Sequence, residues 1–488
     1  MTFQRSLGMQ ELLALRVRFN SLVDALDDAR IDLPSANEPS AHFVSHRLEI
    51  PKLVALCDQV SALLGGPNYT LNQAFLFHIP SCLRVAIDAH VEETLREAEE
   101  QGKTALHVRS IAKSSAVCPE KLARILRLLA ARHIFREVGL DTFARNRCSS
   151  ALDTGKSVRD LEQHPELTYD DSAALTALLA HTADECFKAA AYLPETVLSP
   201  RTAFSYEIRD APFGMAYGDN RTLYEHYAKK RNAAQLARFS NAIKSAGKSF
   251  GGGEDKSMCG YPWQSLPKDA VVVDVGAGVG HVALTVSEKV RHARVVVQDL
   301  EDVIKEARSY WRSSAPRELE SGRVTLMAYD FFTEQPVKRA HVYVLRAVVH
   351  DWADNEAVRI LNRIADAAAE HSSLVLIEHH IAYLCHPNPF PPRSLMPYFI
   401  DLQMMVAMNS LIRTQPQHEA LAAQAGWKLK RVWKTGEDGQ EGPYRHYEFV
   451  LTSERVKMNQ ARDSKGSERS PGRRLRMVDL RPFETAEE

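Results

Sequence analysis

The sequence has no run approaching the roughly 18 consecutive apolar residues that a membrane-spanning helix needs. Its opening residues, Met1-Thr2-Phe3-Gln4-Arg5-Ser6, contain no apolar core of a secretion signal. Both absences argue against a membrane partner and for a cytoplasmic location. Charge excess of either sign is also lacking: 61 Lys and Arg against 62 Asp and Glu give a formal net charge of -1. No global field therefore draws the chain to a polyanion, and no nucleic acid is expected as partner. The seven cysteines include no C-x-x-C pair and no cluster with histidine, which excludes a disulfide framework and suits reduced thiols.

What is present is enough apolar material, 45% of 488 residues, for more than one core. From Met9 to Asp27 apolar residues recur at helical spacing, and after the break Leu33-Pro34-Ser35 helical patterns resume at 51–64 and 72–99. Residues 1–70 are read as a helical extension and 71–199 as a second, mostly helical domain. Within the latter, Leu106 to Ala112, a turn through Cys118-Pro119 and the helix Glu120 to Arg132 form a helix-turn-helix pattern. Two short strands, 134–138 and 142–145, complete a winged helix. Lys121, Arg124, Arg127 and Arg132 lie on its candidate recognition helix, but such charges usually form a solvated face. A dimerisation and substrate-lid role is favoured over DNA binding.

From residue 200 to 455 strand and helix patterns alternate, with strands at 270–275, 293–298, 323–327, 341–346, 374–378, 427–433 and 447–451. Alternation with apolar strands implies an α/β, doubly wound, mostly parallel sheet of seven strands, closed by an antiparallel hairpin. Beyond Ser453 the chain turns polar, and 456–488 is expected to be a disordered, charged tail.

The first strand of this half runs into Asp274-Val275-Gly276-Ala277-Gly278-Val279-Gly280. Glycines there let the backbone turn tightly against a ligand at the strand's carboxyl end. A dinucleotide site spaces them G-x-G-x-x-G, so that a pyrophosphate meets the helix N-terminus; here the third comes one residue early, which suits a cofactor without phosphate. Asp299, followed by Leu300, ends the second strand, where a carboxylate can accept from both ribose hydroxyls. Asp330-Phe331 closes the third, with a carboxylate for an adenine amino group and an aromatic face for its ring.

The segment Leu345-Arg346-Ala347-Val348-Val349-His350-Asp351-Trp352-Ala353-Asp354 then resembles the LRxVLHDWxD signature of class I small-molecule O-methyltransferases, of the plant caffeic-acid type and their fungal relatives. The resemblance runs from about residue 72 to 453. It implies a Rossmann-like sheet, a winged-helix region that dimerises, S-adenosylmethionine as cofactor and no metal. Carried over, it assigns Asp274, Gly276, Gly278, Gly280, Asp299, Leu300, Asp330, Phe331 and Arg346 to the cofactor, and His350 to the general base. Glu378 stands at the position of a carboxylate that orients the base. Relatives carry a second such Glu in N-G-K-E-R-T, where this chain reads Asn409-Ser410-Leu411-Ile412-Arg413-Thr414, so Ile412 replaces it.

Met405, Asn409 and Ile412 are assigned to the acceptor pocket. The expected activity is methylation of a hydroxyl on a small aromatic, phenolic or polyketide-like, acceptor by a homodimer. Two alternatives remain: a winged-helix sensor or DNA-binding protein whose methyltransferase domain is non-catalytic, and a nicotinamide-dependent oxidoreductase. His379 and His380 beside Glu378 suggest a metal, yet adjacent strand residues face opposite ways.

Overall fold

The computed structural model describes residues 7–28, 49–169, 174–218, 221–249, 258, 260–381, 395–435 and 444–468. They fall into two compact units, one within Met1–Ser205, Arg209–Glu254 and Tyr383–Met396, the other within Tyr206–Ile208, Asp255–Ala382 and Pro397–Glu488. No single described helix is long and apolar enough to cross a membrane.

The first unit is mostly helical, and the extension forms helices at Leu7–Asp28 and Glu49–Leu71. It contains the winged helix. Pro119 opens the helix Pro119–Ala131, and Leu122, Leu126 and Leu129 recur on one buried stripe. Strands Leu106–His107 (β1), Arg136–Gly139 (β2) and Thr142–Ala144 (β3) form a sheet in the order β1-β3-β2. The sequence reads Leu106 as helical, but Leu106 and His107 pair with Phe143 and Thr142. The helix begins only at Val108, where the His107 ring accepts from the Arg109 N–H (3.2 Å) and caps it. Arg127 is tied to Glu137 (2.8 Å) and Asp141 (2.7 Å) on the wing.

The lead-in after residue 200 belongs in part to this unit, not to the sheet domain as the sequence pattern suggests. Helix Ala233–Ser249 lies along helix Ala174–His181. Arg238, almost wholly buried, joins it to Asp184 (2.6 Å) and Glu185 (2.5 Å). Local periodicity identifies such a helix but not its partner.

The second unit is built on β4 (Val271–Val275), β5 (Arg294–Asp299), β6 (Val324–Ala328), β7 (Val342–Arg346), β8 (Ser373–His379), β9 (Trp427–Lys434) and β10 (Tyr444–Leu451). Their order is β6-β5-β4-β7-β8-β10-β9. The first five are parallel, and β10 runs antiparallel between β8 and β9, so the expected hairpin is present with its second strand innermost.

Both faces of the sheet are covered, which is why its inner strands β4, β5, β7 and β8 are largely apolar. On one side Val272, Val295 and Val297 meet Val286, Ile304 and Trp311. On the other, Val273, Tyr343 and Leu374 meet Ile360, Ile364 and Leu421. Each buried aliphatic side chain here contributes on the order of 1.5–3 kcal/mol.

The tail expectation is corrected over its first part. Ser453–Glu468 is helical. Asn459 Nδ2 donates to the carbonyls of Ala365 (2.7 Å) and Ala368 (3.0 Å), and Arg455 meets Asp366 (2.8 Å). These polar residues meet carbonyls at and just past the carboxyl end of helix Asp354–Ala367, where few N–H groups follow to take them. Residues 469–488 lie outside the described ones.

Candidate active site

Strand order reverses at β4: the chain leaves it toward β5 and β6, then returns to its other side as β7. In a doubly wound sheet the crevice outside the carboxyl ends of two such strands is where ligands bind. The loops after β4 and β7 carry Gly276 and His350.

Gly276, Gly278 and Gly280 all have positive φ, 69°, 58° and 94°. At two of them glycine is needed for space as well. A Cβ on Gly276 would lie 2.9 Å from Val348 Cγ2 and 3.5 Å from Phe331 Cε1; one on Gly280 would lie 2.7 Å from Trp311 Nε1. Three loops thus converge on Gly276, leaving a backbone surface that a flat ligand can approach.

Asp299 closes β5 beside this loop. Its Oδ2 accepts from the Gly278 N–H (2.7 Å) and its Oδ1 from the Leu300 N–H (2.7 Å), which leaves a lone pair on each oxygen for vicinal hydroxyls. Burial raises its pKa. The Leu300 side chain is exposed. Asp274 lies beneath the loop, where its Oδ2 accepts from Ala283 N–H (3.1 Å), and burial raises its pKa to about 7. That bond ties the end of β4 to helix His281–Lys289. Asp330 Oδ1 takes the Phe332 N–H (2.9 Å), and Phe331 packs edge-on to Trp352 (5.7 Å between centroids).

His350 sits in the 3-10 turn Val349–Asp351, just past β7. Ala347, with φ of 54°, turns the chain out of the strand while its N–H still bonds Ile377 O (3.0 Å). That pairing brings the end of β8 alongside. Glu378, 1% exposed, places Oε2 2.5 Å from His350 Nδ1, and its Oε1 accepts from the Val349 N–H (2.9 Å). Burial works against a charged His350, but the Glu378 and Asp351 carboxylates outweigh it and hold the imidazole pKa at about 9. Burial likewise works against a charged Glu378, yet His350 keeps its carboxyl below the usual range. Asp351 Oδ1 lies 3.4 Å from the other ring nitrogen, Nε2.

Arg346 stacks over the Tyr444 ring at 5.4 Å. His379 stacks on the same tyrosine (4.3 Å), and burial beside His350 lowers its pKa to about 3. His380 Nδ1 instead lies 3.4 Å from Tyr447 Oη. Asn409 has a φ of 56° and its Nδ2 donates to Glu207 O (3.0 Å). Ile412 is buried, with its N–H on Asp401 Oδ1 (2.7 Å). Met405 lies in helix Met396–Met408, partly buried.

Two buried residues near the base were not singled out in the sequence. Arg413, 1% exposed, donates to the carbonyls of Val349 and Trp352. His418 stacks on Tyr447 (4.6 Å), and burial lowers its pKa to about 4. Arg413 falls inside the N-G-K-E-R-T stretch, so motif position offered a signal; His418 lies on an ordinary helical pattern and offered none.

Comparison with known proteins identifies the family and the fold. A family model described as an O-methyltransferase domain matches residues 201–428. A 4-O-methyltransferase from Phanerochaete chrysosporium is 32% identical over 462 residues, covering 88% of this chain and 96% of that protein. Among solved structures, OxaC in complex with S-adenosylhomocysteine (SAH) and oxaline superposes with a TM-score of 0.67 at 19% identity, covering 90% of this chain and 99% of that one. A pericyclic reaction enzyme gives 0.66 at 19% identity, covering 91% and 100%. At such identities the last two attest the fold.

Proposed function

Because the chain belongs to the O-methyltransferase family, we propose that it transfers the methyl group of S-adenosylmethionine to a hydroxyl of a small aromatic acceptor, with His350 as general base. The observation that carries this reading is the His350–Glu378 pair (2.5 Å) at the carboxyl ends of β7 and β8, next to the glycine loop.

The glycine loop fits the cofactor: Gly276 keeps a Cβ out of a cradle closed by Val348 and Phe331, and Asp299 retains acceptor capacity for ribose hydroxyls. Asp330 and Phe331 are assigned to the adenine and Arg346 to the cofactor's polar end. When bound, the sulfonium supplies an already activated methyl group, so the protein's tasks are alignment and removal of one proton. Glu378 holds His350 Nδ1–H, which fixes the tautomer and leaves Nε2 to accept the hydroxyl proton. A cation bound nearby disfavours the imidazolium and lowers the pKa of His350 toward neutrality. Met405, Asn409 and Ile412 are assigned to the acceptor pocket, Ile412 making it more apolar than a second carboxylate would.

The test is transfer of label from methyl-labelled S-adenosylmethionine to a panel of phenols and polyketide-like aromatics, by the wild type and His350→Ala. Cofactor binding without transfer to any acceptor would overturn the enzymatic reading and favour a ligand sensor. Stabilisation by a nicotinamide cofactor instead would favour the oxidoreductase. A homodimer through the helical unit completes the proposal, supported by exposed Leu64, Leu71 and Phe75; a monomer in sedimentation velocity would exclude it.

A further inference from the structure

The turn that carries His350 has little to hold it. Within it Asp351 N–H reaches Val348 O (3.1 Å) and Trp352 N–H reaches Val349 O (3.3 Å), and a single 3-10 turn of this kind is weak by itself. Glu378 fixes it from one side, through the Val349 N–H and the His350 ring. Arg413 fixes it from the other: Nη1 donates to Val349 O (2.8 Å), Nη2 to Trp352 O (2.8 Å), and Nε and Nη2 to Asp354 Oδ1 (3.0 and 2.7 Å). Val349, the residue preceding the base, is therefore gripped at its N–H by a carboxylate and at its C=O by a guanidinium.

An ion pair alone does not account for this burial. Arg413 is 1% exposed, whereas the side chain of Asp354, its one carboxylate partner among the described residues, is 66% exposed. Burying a guanidinium against a solvent-facing carboxylate costs more solvation than the pair returns, but a planar fork reaching two main-chain carbonyls does what no point charge can. Its mount is rigid as well. Ile412 N–H is tied to Asp401 (2.7 Å), and Thr414 caps helix Gln415–Gln424 with Gln417 (2.8 Å).

We propose that Arg413 is a positioning residue for the base: it sets the Val349–His350 peptide so that the imidazole meets Glu378 and its other nitrogen faces the acceptor. Where relatives are expected to place a second carboxylate at position 412, this chain has Ile412, and support from that segment reaches the base through the backbone. The proposal rests on the reading of His350 as the base.

The test follows His350 in the full-length protein by NMR titration of its imidazole nitrogens, with His350→Gln for assignment, in the wild type, Arg413→Met and Arg413→Lys. SAH binding by calorimetry and a thermal melt verify folding. If Arg413 positions the turn, Arg413→Met loosens the Glu378 contact and the titration falls from about 9 by at least one unit; Arg413→Lys falls part of the way. In the same variants kcat drops about 10- to 100-fold, with acceptor KM and SAH affinity within about twofold. If Arg413 acts only as a charge, its removal takes a cation from beside His350, so the titration rises in Arg413→Met and stays put in Arg413→Lys. Either result overturns the proposal. Should Arg413→Met fail to fold, Arg413→Lys decides. A wild type that methylates nothing refutes the enzymatic reading, while the titrations still judge Arg413.

Discussion

His350 Nδ1 and Glu378 Oε2 stand 2.5 Å apart, and the other oxygen of that carboxylate holds the peptide N–H of Val349. One buried group thus orients both the ring and the turn that bears it. His350→Ala is expected to reduce methyl transfer by about 10²- to 10⁴-fold while leaving S-adenosylmethionine affinity unchanged. Equal loss of both in calorimetry and labelled-methyl assays would move His350 from catalysis to cofactor binding.

The same pair sets a pH dependence. His350 has a pKa raised to about 9 from 6.5, by Glu378 and Asp351 against burial, Arg413 and the neighbouring His379 lying nearby. The stability this contributes is complete below 6.5 and is lost as pH rises through about 9. The free base appears over the same range, so kcat/KM for S-adenosylmethionine, which reports the enzyme before its cationic cofactor binds, should climb with pH toward an inflection near 9. In Glu378→Gln the inflection should fall by a unit or more, as the carboxylate charge that holds it up is gone. A pH profile unchanged by this substitution would detach the inflection from His350.

Asp299→Ala is expected to weaken binding of SAH by about 10- to 100-fold, the loss of two hydrogen bonds to a charged acceptor at about 1.5–3 kcal/mol each, partly compensated by water. Asp299→Asn should fall between. Wild-type affinity in Asp299→Ala would place the ribose elsewhere.

Gly276→Ala and Gly278→Ala separate space from strain. Both positions have positive φ, but only Gly276 has a neighbour in the way, Val348 Cγ2 at 2.9 Å, while nothing lies within 4 Å at Gly278. Gly278→Ala should cost about 1 kcal/mol and Gly276→Ala about 1–3 kcal/mol more, with cofactor affinity falling only in the latter. Chemical denaturation and calorimetry check the ranking.

Ile412→Glu, which restores the residue expected in relatives, should destabilise the fold by about 3–5 kcal/mol, because it buries a charge without a cationic partner. A stable variant with increased kcat would instead mean that the site still accommodates the second carboxylate.

The α/β class, the seven strands to within a few residues and the glycine loop were legible because each rests on local pattern: apolar runs, glycine spacing, an acid at a strand end. His350 and Glu378 were legible through motif alone, since 28 residues separate them and no periodicity links them. The helical tail was misread because Asn459 and Arg455 gain their partners only from helix Asp354–Ala367. Arg413 was passed over for the same reason: all four of these bonds reach residues 59 to 64 positions away whose carbonyls and carboxylate converge only after the sheet has formed.

By itself the sequence determined the seven strands of the large sheet, most of the helices and which backbone must be glycine, because those choices depend on side-chain pattern and on steric limits within a few residues. Tertiary structure decided which loops meet. Pairing of β7 with β8 sets Glu378 against His350, the segment that leads into helix Gln415–Gln424 brings Arg413 to the same turn, and the Glu378 and Asp351 carboxylates, against burial, turn an ordinary histidine into one with a pKa near 9. Electrostatics of that strength needs low-dielectric surroundings and fixed separations, which exist only once the chain has folded.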